Sequence, residues 1–160
     1  TLEYSKKLKL DWAVYNNFRP FPGTELYDEC VAQGIIKKFT FDNCDESTHS
    51  YGSDESHFDG KDWTKKWLME KIYDYNVDVN FLNSYNLNAG NYKQALYDFE
   101  YVIGNVKDHA IAHRQASVAA SKLSMMDKAT NHAKEEKRIM SNANMYQKYY
   151  KDFALKPLYS

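Results

Sequence analysis

The N-terminal part of the chain, residues 1–40, combines two patterns of apolar positions. Residues 7–10 alternate polar and apolar side chains, and residues 12–15 continue with side chains that favour a buried strand. Two prolines and Gly23 follow, and they end a strand because proline lacks the ladder donor and glycine permits a turn. Thr24 is placed to cap a helix that Gly34 would end in a left-handed conformation. The pattern predicts one β/α unit, whose single strand needs partners from elsewhere.

Residues 42–62 lack any periodicity. They hold seven acidic side chains and one lysine, with serine, threonine and glycine between them. A segment of this length without regular structure is unusual inside a compact domain and is typical of a linker. The acidic spacing does not match an EF-hand loop, so a solvated linker is preferred to a calcium site. The predicted organisation is a β/α unit over residues 1–41, an acidic linker over 42–62 and a helical domain over 63–160.

An internal repeat with a constant offset organises the predicted helical domain. Four residues and their counterparts define the offset: Gly90, Tyr92, Ala95 and Phe99 correspond to Ser124, Met126, Ala129 and Ala133. The first set resembles the turn and second helix of a tetratricopeptide repeat, in which a small residue lets two helices pack closely. The second match is weaker, since Glu136 takes a position that is usually small and apolar. The alternative is a chance alignment of alanine-rich helices.

Helical spacing on either side of the repeats predicts two capping helices. Repeat units bury their apolar faces only against neighbours, so two units need covering helices. Residues 63–75 would cover the front of the pair and residues 142–153 the back. The fold class is therefore mainly α, with two tetratricopeptide-like helix pairs and flanking capping helices, preceded by the β/α unit. Within the repeats we expect turns at residues 88–91 and 122–127, with Ala95 and Ala129 buried.

The turn after the predicted strand carries a more specific resemblance. Residues 17–27 are Asn-Phe-Arg-Pro-Phe-Pro-Gly-Thr-Glu-Leu-Tyr, and residues 33–36 are Gln-Gly-Ile-Ile. This combination resembles the segment after a late strand of the radical S-adenosylmethionine (radical SAM) barrel, above all in enzymes with an N-terminal cobalamin-binding domain. Residues 91–95 and 109–113 are similar to helical repeats that follow the barrel in some members. The resemblance implies the C-terminal fragment of such an enzyme, with the β/α unit as the end of a truncated barrel and the remainder of that barrel as its partner.

The same resemblance implies that the cofactors lie in another part of the parent enzyme. The family holds a [4Fe–4S] cluster in a CxxxCxxC loop, and the cluster binds and reduces S-adenosylmethionine. The two cysteines, Cys30 and Cys44, cannot supply such a loop. We therefore expect no catalytic residue, no metal and no cofactor in this chain, and a parent with the cluster, S-adenosylmethionine and, where its domain is present, cobalamin. Asn17 and Arg19 would border the cofactor site, although an arginine that structures the turn is an equal alternative for Arg19.

Charge and composition disfavour two classes of partner. The chain is 43% hydrophobic and 27% charged, as in soluble globular proteins. Residues 1–75 carry a net charge of −4 and residues 76–160 one of +3, and neither half has the dense basic stripe of a nucleic-acid binder. No apolar run approaches the ~20 residues of a membrane span. The first residues lack the core of a signal peptide, so we expect a cytoplasmic protein with reduced thiols that binds neither nucleic acid nor membrane.

Two histidines offer a weak metal alternative. His109 and His113 lie one helical turn apart on a predicted helix, which is the spacing of a two-histidine metal site. No third ligand is evident in the sequence, so packing at the repeat junction is the preferred interpretation.

Two functions from different classes fit these patterns. In the first, the chain is the C-terminal region of a radical SAM iron–sulfur oxidoreductase or methyltransferase-like enzyme. Its helical repeats would contact the substrate, a partner or the barrel, with no catalysis by this region alone. In the second, it is a free-standing tetratricopeptide-type adaptor that binds a peptide in its groove. The β/α unit favours the first, because a truncated barrel explains it and an adaptor has no use for it.

Overall fold

The computed structural model describes residues 2–16, 20–38, 40, 59–142, 145–156 and 158. This part of the chain is mainly α-helical, which confirms the predicted mainly α class. None of the described helices is both long and apolar enough to cross a membrane. In chain order the helices are α1 (Leu2–Lys7), α2 (Glu25–Ala32), α3 (Lys65–Val77), a π-helical turn (Asp78–Leu82), α4 (Tyr85–Asn88), α5 (Tyr92–Asn105), α6 (Ala110–Lys122), α7 (Met126–Met140) and α8 (Tyr146–Asp152).

The chain divides into two compact units. The main unit comprises Thr1–Ala13 and Asp74–Ser160, and the second unit comprises Val14–Tyr73. Helix α3 spans the boundary, so that its C-terminal end belongs to the main unit. Most of the predicted acidic linker, residues 42–58, lies outside the described residues.

Helix α6 forms the centre of the main unit. It packs against both α5 and α7. Alanine is the strongest helix former, and its small side chain lets neighbouring helices approach closely. Phe99 of α5 and Ile139 of α7 are buried in the same core. The alanines of α6 are all 0% exposed: Ala110, Ala112, Ala116, Ala119 and Ala120.

The turns that precede α5 and α7 have the same backbone hydrogen bonds at equivalent positions of the two repeats. In the first turn the Asn91 N–H donates to the Asn86 carbonyl at 2.8 Å. In the second, the Met125 N–H donates to the Ala120 carbonyl at 2.9 Å. The two donors are 34 residues apart, and so are the two acceptors. This separation equals the offset between the two repeats in the sequence.

Gly90 and Ser124 take the left-handed conformation in these turns, with φ of 84° and 60°. A side chain makes this conformation costly, and glycine removes that cost. The helices that follow bury Ala95 and Ala129, each 0% exposed. The predicted turn positions and the predicted burial of both alanines are therefore confirmed.

The helix begun by α3 is interrupted after Val77. A π-helical turn follows over Asp78–Leu82, and Ser84 then caps α4 by accepting from the Leu87 N–H at 3.4 Å. The sequence here is rich in aspartate, asparagine and serine, whose side chains compete with the helix for backbone and neighbouring polar groups. Asn83, for example, donates its side-chain amide to the Asp78 carboxylate.

The strand predicted over residues 7–15 is not formed. The described residues 8–16 contain no strand, and they lie partly against the interrupted helix. Buried Asn80 accepts from the Ala13 N–H at 2.8 Å and donates to the Ala13 carbonyl at 2.7 Å. The Trp12 and Phe81 rings meet edge to face, with centroids 5.3 Å apart. Since a strand needs a neighbouring strand for its backbone groups, the Asn80 amide takes over that role at Ala13.

The second unit contains α2, whose ends follow the sequence prediction. The Thr24 hydroxyl accepts from the Tyr27 N–H at 3.2 Å and so caps the N-terminus. At the other end Gly34 has a φ of 69°, and the Ile35 N–H donates to the Cys30 carbonyl at 2.9 Å. This bond closes the helix in the manner of a Schellman motif. The helix of the predicted β/α unit is present without its strand.

The two glycines of the main unit provide a matched test of the turn. Gly90→Ala should lower the free energy of unfolding by about 1 kcal/mol, because alanine must adopt the left-handed conformation. Gly104→Ala should raise it by about 0.5–1 kcal/mol, because Gly104 lies within α5 with nothing near its position. Ser124→Gly should stabilise the second turn by about 0.5 kcal/mol. Urea denaturation measures all three, and equal signs for the two alanine variants would contradict the assigned turn.

Candidate functional site

A carboxylate lies at the centre of the contact between α6, α7 and α8. Glu136 of α7 is 1% exposed. Its Oε1 accepts from the Tyr150 hydroxyl of α8 at 2.5 Å and from Arg114 Nη1 of α6 at 3.2 Å. The Arg114 guanidinium also lies over the Tyr150 ring, 5.9 Å from its centroid. Arg114, Glu136 and Tyr150 are called the buried charge cluster below.

The electrostatics of the cluster fix the roles of its members. Burial raises the pKa of Tyr150, and the hydrogen bond to the Glu136 carboxylate raises it further. The phenol therefore stays protonated at neutral pH and donates to the carboxylate. The Arg114 guanidinium balances the buried negative charge, which would otherwise be costly.

The C-terminal segment completes the hydrogen bonds of the cluster. Shortly after α8 ends, Ala154 has a φ of 50°. Beyond it, Arg114 Nη1 donates to the Lys156 carbonyl. The Leu158 N–H donates to Glu136 Oε2 at 3.5 Å. The cluster thus binds a stretch of backbone through one donor and one acceptor.

The sequence contains one signal for this cluster. Glu136 occupies a position that the repeat pattern expects to be small and apolar, and a buried carboxylate requires partners. Arg114 lies 22 positions earlier and Tyr150 14 positions later, and no local pattern links them to Glu136. The sequence therefore shows that Glu136 departs from the repeat pattern, but it does not show that Arg114 and Tyr150 are its partners.

The sequence singled out two pairs of residues for cofactor or metal sites, and the structure describes one of these pairs. Asn17 and Arg19 lie outside the described residues. His109 and His113 do not converge, since the His113 ring contacts His132 and the His109 ring lies against Phe81. Across the part of the chain that the structure describes, no group of three or more histidine, cysteine, aspartate or glutamate side chains is arranged to hold a metal ion.

His113 belongs instead to a chain of polar contacts between α5, α6 and α7. Its Nε2 faces the Lys107 carbonyl at 2.9 Å, and its Nδ1 lies 3.1 Å from His132 Nδ1. His132 Nε2 lies 3.3 Å from the Glu100 carboxylate, to which Lys128 also binds at 2.9 Å. The Lys107 carbonyl and the Glu100 carboxylate, at the two ends of this chain of contacts, only accept hydrogen bonds. Burial lowers the pKa of His132, against the opposing effect of Glu100.

His109 caps the N-terminus of α6 as a neutral ring. Its Nδ1 accepts from the Ala112 N–H at 3.1 Å, and its ring lies 4.8 Å from that of Phe81 and 5.0 Å from that of Tyr146. Burial lowers the pKa of His109 from 6.5 to about 4. The ring is therefore neutral at pH 7, as capping requires, because a protonated imidazole has no acceptor.

No family model, no curated protein and no solved structure matches the chain. Its function is therefore inferred from its own geometry. That geometry combines a buried charge cluster that holds peptide backbone with helices whose turns recur at a fixed offset.

Removing the buried carboxylate should destabilise the main unit strongly. Glu136→Ala leaves Arg114 and Tyr150 without their shared partner, so the free energy of unfolding should fall by about 3–5 kcal/mol. Glu135→Ala is the matched control on the same helix, because Glu135 pairs with Arg138 at an exposed position. Its effect in urea denaturation should be much smaller. Equal effects of the two substitutions would contradict the role assigned to Glu136.

Stability should fall as the pH drops from about 7 to about 4. The pKa of His109 is about 4 in the folded chain, below its ordinary value of 6.5, so the unfolded chain binds more protons across this range. His109 alone should remove about 3 kcal/mol at the acid end. His109→Asn keeps a capping side chain that does not titrate, so its free energy of unfolding should depend less steeply on pH. Urea denaturation from pH 4 to pH 8 measures this, and an unchanged slope would contradict the assignment.

Proposed function

We propose that the main unit is a protein-interaction module built from two tetratricopeptide-like helix pairs, residues 76–109 and 110–143. The observation that carries the proposal is the recurrence of the same turn hydrogen bond at equivalent positions. Asn91 donates it in the first pair and Met125 donates it in the second. Each turn is followed by a helix with a fully buried alanine at the equivalent position, Ala95 or Ala129. Stacked helix pairs of this kind offer extended surfaces for protein contacts.

The geometry of the last helix fits this proposal. Helix α8 lies beyond the second pair and buries Tyr146, Tyr149 and Tyr150 in the shared core. In the proposed stack it would serve as the expected capping helix at the back. The backbone contacts of Arg114 and Glu136 supply a recognition element suited to a peptide.

For the parent protein we propose the C-terminal region of a radical SAM enzyme. Local structure at residues 21–35 supports this proposal, since Thr24 caps α2 and Gly34 ends it as the family resemblance requires. Exposed apolar side chains at alternate positions from Leu8 to Trp12 offer a surface for the remainder of the barrel. Catalysis, the [4Fe–4S] cluster, S-adenosylmethionine and any cobalamin would belong to that remainder, with Asn17 and Arg19 at its border.

A free-standing adaptor is the second candidate, and one observation favours it. Asn80 binds both backbone groups of Ala13, so residues 1–13 form part of the main unit. An adaptor would use this segment to cover its first helix. The reading frame upstream of Thr1 separates the two candidates. A CxxxCxxC loop roughly 150–200 residues before Thr1 favours the enzyme, whereas an upstream sequence without one leaves the adaptor.

The interaction function itself is tested by peptide selection on the full chain. Phage-displayed peptides selected on the immobilised protein should converge on one sequence family and bind as synthetic peptides in calorimetry. Ala129→Asp places a charge at a fully buried position of the second pair and should abolish binding. Thr130→Asp, at the exposed neighbouring position, should bind as the unaltered chain does. Selection that enriches no common sequence would overturn the proposed function.

A further inference from the structure

Two histidines from neighbouring helices face each other inside the main unit. His113 of α6 and His132 of α7 approach through their Nδ1 atoms, which lie 3.1 Å apart. The centroids of the two rings are 5.3 Å apart. His113 is buried, whereas the side chain of His132 is 14% exposed. The exposed part of His132 gives a small ion access to the pair from solvent.

The outer nitrogen of each ring already faces an acceptor. His113 Nε2 lies 2.9 Å from the Lys107 carbonyl, and His132 Nε2 lies 3.3 Å from the Glu100 carboxylate. Neither of these oxygens can donate, so each Nε2 must carry the ring proton for these contacts to be hydrogen bonds. An uncharged imidazole has one such proton. Both Nδ1 atoms are then left with a lone pair at their mutual contact and no hydrogen between them.

Two imidazole lone pairs at this separation match the requirements of a zinc ion. Zn–N bonds are about 2.0–2.1 Å long, so an ion bound to both atoms across 3.1 Å would have an N–Zn–N angle of about 100°. This value is close to the tetrahedral angle of about 109° that zinc prefers. Water would fill the two remaining positions. The site has two protein ligands, so it differs from the groups of three or more that the described residues lack.

The partners of the two Nε2 atoms are those that zinc-binding histidines usually have. A metal-bound imidazole almost always donates its other N–H to a carboxylate, a backbone carbonyl or water, which fixes the ring and makes it more basic. Glu100 accepts from His132 in this way. The Lys107 carbonyl does so for His113. Lys128 binds the same Glu100 oxygen at 2.9 Å and holds the carboxylate in place, so both rings are oriented before an ion arrives.

We propose that His113 and His132 form a two-histidine zinc site between α6 and α7. Glu100 and the Lys107 carbonyl orient the two rings. The site goes beyond the proposed interaction function and does not depend on it. The ion connects two neighbouring helices of the main unit, so zinc stabilises the folded chain to the extent that it binds there.

Isothermal titration calorimetry of the full chain with zinc chloride at about pH 7.5 tests the site. One zinc ion should bind per chain, and magnesium should not bind, because it prefers oxygen ligands. His113→Gln and His132→Gln should each weaken zinc binding by about tenfold or more, since each removes one of only two protein ligands. Glu100→Ala should weaken it by about tenfold, because groups that orient a ligand contribute about 10–100-fold to metal affinity. An unaltered chain that binds no zinc would overturn the proposal.

Two other histidines provide the matched control. His49 and His57 lie outside the described residues, in the acidic part of the sequence. The double variant His49→Gln/His57→Gln should bind zinc as the unaltered chain does. If this variant loses the zinc and His132→Gln retains it, the ion binds elsewhere and the proposal is wrong.

Nitrogen-15 NMR of the histidine rings reports the protonation of single atoms. Without metal, both rings should carry a proton on Nε2 and none on Nδ1, and zinc should shift the Nδ1 resonances of His113 and His132. A proton on either Nδ1 in the metal-free chain at the same pH would contradict the site, because the contact would then be an ordinary hydrogen bond. This measurement uses the unaltered chain, so it decides the question even where a histidine variant is unfolded.

Discussion

The main unit depends on the burial of one helix on nearly every side. Alanines allow α6 to contact α5 and α7 closely, but the same helix carries polar side chains that the close packing removes from water. Each of these side chains must find a partner, because an unpaired buried polar group costs about 1–3 kcal/mol. Ser117 donates to the Ala129 carbonyl at 2.8 Å, and Gln115 donates to the Phe81 carbonyl at 2.5 Å. The close packing of α6 is therefore possible only if each of its buried polar side chains has a hydrogen-bond partner.

This constraint accounts for the two charged groups of contacts around α6. His113 lies on the helix face toward α7 and connects to His132 and, through it, to Glu100. Arg114 follows in sequence and reaches Glu136 and the C-terminal segment. Consecutive residues of a helix point about 100° apart, so one buried helix directs its polar groups to separate neighbours. The helix that fills the core thus also positions the residues of the candidate site.

The sequence predicted the elements that local rules govern. The constant offset between the repeats located the turns at Gly90 and Ser124, and the capping residues located the ends of α2. The predicted strand failed because the backbone of Ala13 pairs with the side chain of Asn80, 67 positions away. The partners of Glu136 were unpredictable for a related reason, since they come from the preceding and the following helix, beyond the reach of any pattern within one helix. Local patterns specify turns and caps, whereas the pairing of buried polar groups depends on the tertiary arrangement.

The chemistry of Arg114 and Glu136 bears on why such a pair occupies the interior of a small helical unit. A buried ion pair adds little net stability, since desolvation offsets most of the attraction, and apolar side chains of similar size would fill the space as well. Apolar side chains, however, cannot make directional hydrogen bonds. A guanidinium and a carboxylate each retain further hydrogen-bonding capacity after they pair with each other, and here that capacity meets the Lys156 carbonyl and the Leu158 N–H. The pair is therefore better explained by the backbone that it holds than by the stability that it contributes.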